Sequence, residues 1–128
     1  MQNLNFSGHF ANSAAKVDVT VGLFQFVEDG RTIIYSPAFD LSGYGNSEDE
    51  AKQSFEVTID EFFNYTIHKD TLFKELKRLG WNIKVGDMKK RKLKSPELAN
   101  LISKNDYLAE ILNEKQFTKF DQTVSVPC

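Results

Sequence analysis

A chain of 128 residues, 41% hydrophobic and 27% charged, has the size and balance of one ordinary folded domain and falls outside the disordered and fibrous classes. Its formal net charge of -2 and pI near 5.7 argue against a surface built throughout for nucleic acid, which carries a strong basic excess. The one cysteine, Cys128, excludes an internal disulfide and a cysteine-based zinc cage.

Residues 1–15 read as an N-terminal arm. The opening MQNLNFSGHFANSA has neither a basic leader nor a continuous apolar run, and no later stretch approaches the length of a membrane span, so the expectation is a cytoplasmic protein without membrane contact. From Lys16 the sequence alternates. Val17, Val19, Val21 and Leu23 share one face of a strand and Asp18, Thr20 and Gly22 the other. At Phe24 and Phe26 the apolar phase slips by one, which requires either a bulge near Gly22 or a strand end covered on both faces. Asp29-Gly30 then stands between two β-rich runs, the strongest short hairpin signal, and Thr32 to Ser36 should return antiparallel until Pro37 ends it. Phe39 to Tyr44 suits a third short strand.

Gly43 and Gly45 are expected to turn the chain off the sheet, and Ser47 with Glu50 forms a capping box that satisfies free amide donors at a helix start. Ala51, Phe55, Ile59, Phe62 and Thr66 recur at helical spacing, so this helix should lie on the sheet through that stripe. A second helix from about Asp70 carries Leu72, Phe73, Leu76 and Leu79, with Gly80 at its left-handed cap. Trp81 to Val85 suits a brief strand, and Gly86 to Lys94 is polar and basic. Ser95-Pro96 should cap and open a helix through Leu98, Leu101 and Ile102, broken at Lys104 to Asp106 and resumed by Tyr107, Leu108, Ile111 and Leu112. Gln122 to Val126 alternates as a closing strand.

The order of strand, Asp-Gly hairpin, strand, short strand, turn with Asp40, Leu41 and Gly43, then a helix start with Ser47, Glu50 and Ala51 resembles the HicB-like antitoxin family over roughly residues 16–63. That resemblance implies an α+β fold: a three-stranded antiparallel sheet with one long helix packed on it, a shortened RNase H-like unit. The division it suggests is an HicB-like core over 16–85 and, over 86–128, a basic loop, a helical extension and a closing strand. The implied function is non-enzymatic: binding and neutralising a small basic HicA-like toxin that cleaves mRNA. Many members also bind their own promoter DNA through a C-terminal segment, which would fall here at residues 92–113. No cofactor is implied.

Charge is unevenly arranged. Nine acids against Arg31 and Lys52 lie between Glu28 and Glu61, and nine bases against Glu75 and Asp87 lie between Lys74 and Lys94. Glu48, Asp49, Glu56 and Asp60 are therefore the candidate contacts to a basic protein partner, and Lys89, Lys90, Arg91 and Lys92 the candidate contacts to nucleic acid. Solvated or mutually neutralising surfaces produce the same pattern. An RNase H-like nuclease would instead recruit Asp18 with Glu50 or Glu56 around two metal ions about 4 Å apart, while an orphan domain without a toxin would be structural or self-associating. His9 and His68 have no third ligand at metal spacing. Phe39, Phe63, Phe117 and Phe120 stand outside the inferred stripes and are candidates for an interface.

Overall fold

The computed structural model describes residues 16–85 and 91–127. The arm, His9, Lys89, Lys90 and Cys128 lie outside the described residues. Strand β1 (Lys16–Glu28), β2 (Arg31–Ser36) and β3 (Leu41–Gly45) are followed by helix α1 (Glu48–His68) and helix α2 (Leu72–Arg78). A ribbon of β4 (Asn82–Val85) and β5 (Arg91–Lys94), helices α3 (Leu98–Lys104) and α4 (Asp106–Glu114), and strand β6 (Phe117–Pro127) complete the chain. The fold is α+β, with a four-stranded antiparallel sheet in the order β3-β2-β1-β6 and the separate two-stranded ribbon β4-β5. The fourth strand is the closing segment, which is longer than Gln122 to Val126. It follows β1 from Lys16↔Pro127 to Phe26↔Phe117.

Asp29 and Gly30 both take positive φ, 53° and 78°, and so form the two-residue turn whose twist matches the strands, with Glu28 opposite Arg31. The phase slip in β1 is resolved by burial on both faces. No bulge occurs at Gly22, because the register with β6 runs unbroken through Gly22↔Asp121. Val19, Val21 and Leu23 pack with Ile34 beneath α1, whereas Phe24 and Phe26 point the other way and join Ile33 and Tyr35 beneath Leu108 and Ile111 of α4. One sheet thus carries a helix on each face at its hairpin end.

The long helix starts as its sequence dictates. Ser47 Oγ accepts from Glu50 N at 3.2 Å, and the Glu50 carboxylate reaches back to Asn46 N at 2.9 Å, which satisfies orphan donors of the first turn. Its buried stripe is Ala51, Phe55, Ile59, Phe63 and Thr66. Phe63 replaces the expected Phe62, which is only partly buried at the margin of the core. Steps of four, then three, keep the stripe centred on the sheet, and Phe63 meets it where Phe62 lies to one side. Phe39 is likewise core: its ring lies 5.8 Å from Phe63 and 5.0 Å from Trp81, and the Trp81 indole donates to Ala38 O at 2.7 Å.

The two glycines expected to make a corner sit inside β3 instead. A Cβ on Gly43 would stand 2.3 Å from Phe55 N, and one on Gly45 2.5 Å from Glu50 Cβ. Their missing side chains let α1 lie directly against the strand; the reversal itself falls on Asn46 and Ser47. The third strand consequently begins at Leu41, with Asp40 at φ 55° ending the preceding turn. Both α1 and α2 end in a Schellman arrangement, with Asp70 (φ 57°) and Gly80 (φ 98°) in the left-handed position. Thr71 N reaches Thr66 O at 2.7 Å and Trp81 N reaches Leu76 O at 2.9 Å. Asp70 is thus the cap of the first helix and not the start of the second. Ser95 and Pro96 precede α3 without capping it, because the helix begins at Leu98 after Glu97.

Candidate functional site

Helix α1 buries its apolar stripe in the sheet and turns its charged side outward. Glu48, Asp49, Glu56 and Asp60 are all exposed. Helical spacing gathers Asp49, Glu56 and Asp60 on one flank, beside Lys52, whose ammonium lies 5.5 Å from the Phe120 ring of β6. Glu48 is held by contacts of its own. Gln25 donates to its carboxylate at 2.9 Å and Lys52 pairs with it at 3.2 Å, and these contacts hold its pKa below the usual carboxylate range. Asp60 is shifted the opposite way: partial burial, then the neighbouring Glu56 charge, raise its pKa, partly offset by Lys16. Among the described residues Asp49, Glu56 and Asp60 make no ion pair within 4.0 Å. Helix α1 also exposes Val57, next to the acidic flank, and Tyr65, on the opposite flank, at 58% and 65%. The sequence stripes left these two apolar residues unassigned, and that was the available signal for them.

The basic run falls on the ribbon. Register pairs Asn82 with Lys94, Ile83 with Leu93, Lys84 with Lys92, and Val85 with Arg91. Ile83 and Leu93 pack against the core, while Lys84, Lys92 and Lys94 are exposed. Lys84 directly opposite Lys92 is a like-charge pair, an arrangement that weakens a two-stranded ribbon unless an anion lies over it. Of the residues expected to touch nucleic acid, the structure therefore places Lys92 on a solvent-facing ribbon and Arg91 at its end.

The helices of residues 98–114 lie next to the sheet. Leu108 and Ile111 of α4 are buried on the sheet, and Asn105 alone separates α3 from α4. Asn105 works in two directions: its Oδ1 accepts from Leu108 N at 3.0 Å as the cap of α4, and its Nδ2 donates to the Tyr35 hydroxyl at 2.7 Å. Tyr35 in turn donates to Asp40 Oδ1 at 2.7 Å, and burial pushes its phenol pKa upward. This chain of contacts fastens α4 to β2.

The carboxylates considered for metal-dependent cleavage are split by the sheet. Asp18 accepts from Ser125 Oγ at 2.5 Å on the face away from α1, whereas Glu50 and Glu56 belong to α1 on the other face. Among the described residues no three His, Cys, Asp or Glu side chains are grouped to hold a metal ion. His68 is exposed in the last turn of α1. A recess of about 450 Å³ lies between the β1 end and the α4-β6 turn, lined by residues that include Gln25, Glu114 and Lys115. No helix among the described residues is long and apolar enough to cross a membrane. No protein-family model, no curated protein and no solved structure matches the chain.

Proposed function

We propose that this protein is a non-enzymatic, HicB-like antitoxin module that binds and neutralises a small basic mRNA-cleaving toxin. The observation that carries the reading is the flank of α1 on which Asp49, Glu56 and Asp60 stand together outside any ion pair within 4.0 Å among the described residues, Lys16 only partly offsetting the Asp60 shift. Burial first and the Glu56 charge second raise the pKa of Asp60, so a basic surface docked there relieves the part of that shift that is repulsion. Exposed Val57, one turn from Asp60 on the same helix, adds apolar area to such a contact. The order β3-β2-β1 followed by a helix over one face agrees with the shortened RNase H-like unit that the resemblance implies. Coexpression with the product of a small basic reading frame beside the gene should yield a stable complex. The double change Glu56→Lys and Asp60→Lys should weaken that complex by at least about tenfold. Absence of such a reading frame together with no complex, or binding unchanged by the double substitution, refutes the reading.

The opposed lysines of the ribbon favour a second activity for the same protein: DNA binding through β4-β5, for which a two-stranded ribbon has the right width for a major groove. Replacing Lys84 and Lys92 by Gln should reduce the affinity for duplex DNA and flatten its salt dependence. Equal salt slopes for the two proteins would remove the ribbon from that role.

A further inference from the structure

Strand β6 closes the sheet on one side and leaves a long regular edge. It ends the strand order, and among the described residues no strand pairs with its outer side. The register with β1 holds over the whole of Phe117–Pro127 without a bulge, and no proline interrupts residues 117–126. Bulges, prolines, short strands and charged side chains are the usual means of blunting such an edge, and of these, residues 117–126 carry the charges of Lys119 and Asp121. From Phe117 to Thr123 every residue is exposed except half-buried Phe120, which is the midpoint of that stretch.

The side chains around this midpoint are complementary to themselves. Lys119 and Asp121 flank Phe120 on the face away from α1, and their charged groups are 3.0 Å apart. An antiparallel pair related by a two-fold axis through Phe120 sets Lys119 of each copy opposite Asp121 of the other. The same register sets Phe120 against Phe120, Thr118 against Gln122 and Phe117 against Thr123. Directly opposed unlike charges and an aromatic pair are both favourable across antiparallel strands. Shifting the axis to Lys119 or to Asp121 places two like charges face to face, so the charges select the Phe120 register. Gly22 contributes on the open face: a Cβ there would come within 3.0 Å of Lys119 Cε, so its absence leaves room for the lysine chain to lie across β1.

We infer that the β6 edge binds a second copy of this chain, antiparallel and centred on Phe120, joining two four-stranded sheets into one. Seven residue pairs in such an interface supply about six to eight backbone hydrogen bonds, two for every second pair. The acidic flank of α1 borders this edge through Lys52, which lies 5.5 Å from the Phe120 ring, but supplies no residue to the strand pairing, and the inference does not depend on a toxin.

Light scattering on the purified full chain should give a mass near twice the 14.6 kDa of one copy. Lys119→Asp places acids opposite acids and Asp121→Lys places bases opposite bases, so each variant alone should dissociate about tenfold or more readily. Their one-to-one mixture should recover a heterodimer, and the double exchange Lys119→Asp with Asp121→Lys should recover a homodimer. Both positions are exposed, so melting curves near that of the parent protein are expected to verify folding of each variant. A wild-type chain that stays monomeric, a dimer indifferent to the single changes, or a mixture that does not pair would each overturn the inference.

Discussion

The two faces of the sheet are covered by very different means. Beneath α1 the contact is almost wholly apolar, and its partners are close in sequence: Val19, Val21, Leu23 and Ile34 against Ala51, Phe55, Ile59 and Phe63. Beneath α4 the core is a small cluster of Phe24, Phe26, Ile33 and Tyr35 against Leu108 and Ile111, and a hydrogen bond spanning 70 positions ties Tyr35 to Asn105. The rest of that second face stays open and polar, with Asp18, Thr20, Thr123 and Ser125 exposed. A large apolar face fixes its helix by burial alone. A small one fixes its helix with a polar contact that only one docked position satisfies.

Substitutions in the two cores separate these mechanisms. Phe63→Ala should cost about 3 to 5 kcal/mol, and the half-buried Phe62→Ala distinctly less. Equal losses in melting experiments would contradict the placement of the stripe. On the other face Ile111→Ala should cost about 2 to 5 kcal/mol. Because α4 leads almost directly into β6, which pairs with β1, melting of that variant should remain a single transition. Two transitions would mean that the second face folds as a unit of its own.

Close approach on the α1 side and polar docking on the α4 side give smaller effects. Gly43→Ala should cost about 1 to 3 kcal/mol, since the new methyl group meets backbone atoms of α1 that cannot rotate away. If the glycine served only to bend the chain, this change in a strand of ordinary φ would be nearly neutral. Tyr35→Phe should cost about 1 kcal/mol, and Asn105→Ala about 2 kcal/mol because it also uncaps α4. Chemical denaturation of both and of the double variant measures the coupling, which should be positive. Strict additivity would show that the contact does not fasten the helix.

How far the fold was legible follows from the range of the interactions that decide it. Asp29-Gly30, the alternation of β1, the Ser47 cap and Gly80 act within a few residues, and each stands where its local chemistry puts it. The break before Tyr107 was legible too, because Asn105 caps the helix that follows it. What β1 does at Phe24 could not be settled between a bulge and double burial, since the covering helix arrives from the far end of the chain. Gly43 and Gly45 were misread for a related reason. A glycine needed for close packing and one needed for a bend look alike in sequence. Phe63 for Phe62 is a one-residue error of helical phase, which the longer steps in the stripe conceal. For the candidate site, the segregation of charge was legible but its geometry was not. Asp49, Glu56 and Asp60 share one flank without Glu48, and part of the basic run forms a ribbon whose register sets Lys84 against Lys92.

The smallest effect tests the electrostatics of the exposed flank against both buried faces. Asp60 has a raised pKa in the folded chain, from burial first and Glu56 second, so its ionised form is less welcome there than in the unfolded chain. The resulting penalty is fully present above the folded pKa and disappears as pH falls below the unfolded value of about 3.8. Asp60→Asn should therefore stabilise the protein at neutral pH, by no more than about 0.5 kcal/mol because the group is largely exposed and screened. The advantage should shrink through the acid range and vanish near pH 3. An advantage independent of pH would assign the effect to packing of the amide, and a loss of stability at neutral pH would mean that Lys16 outweighs Glu56 at this site. Added salt should act in the same direction as protonation, narrowing the difference between the two proteins by screening the Glu56 charge.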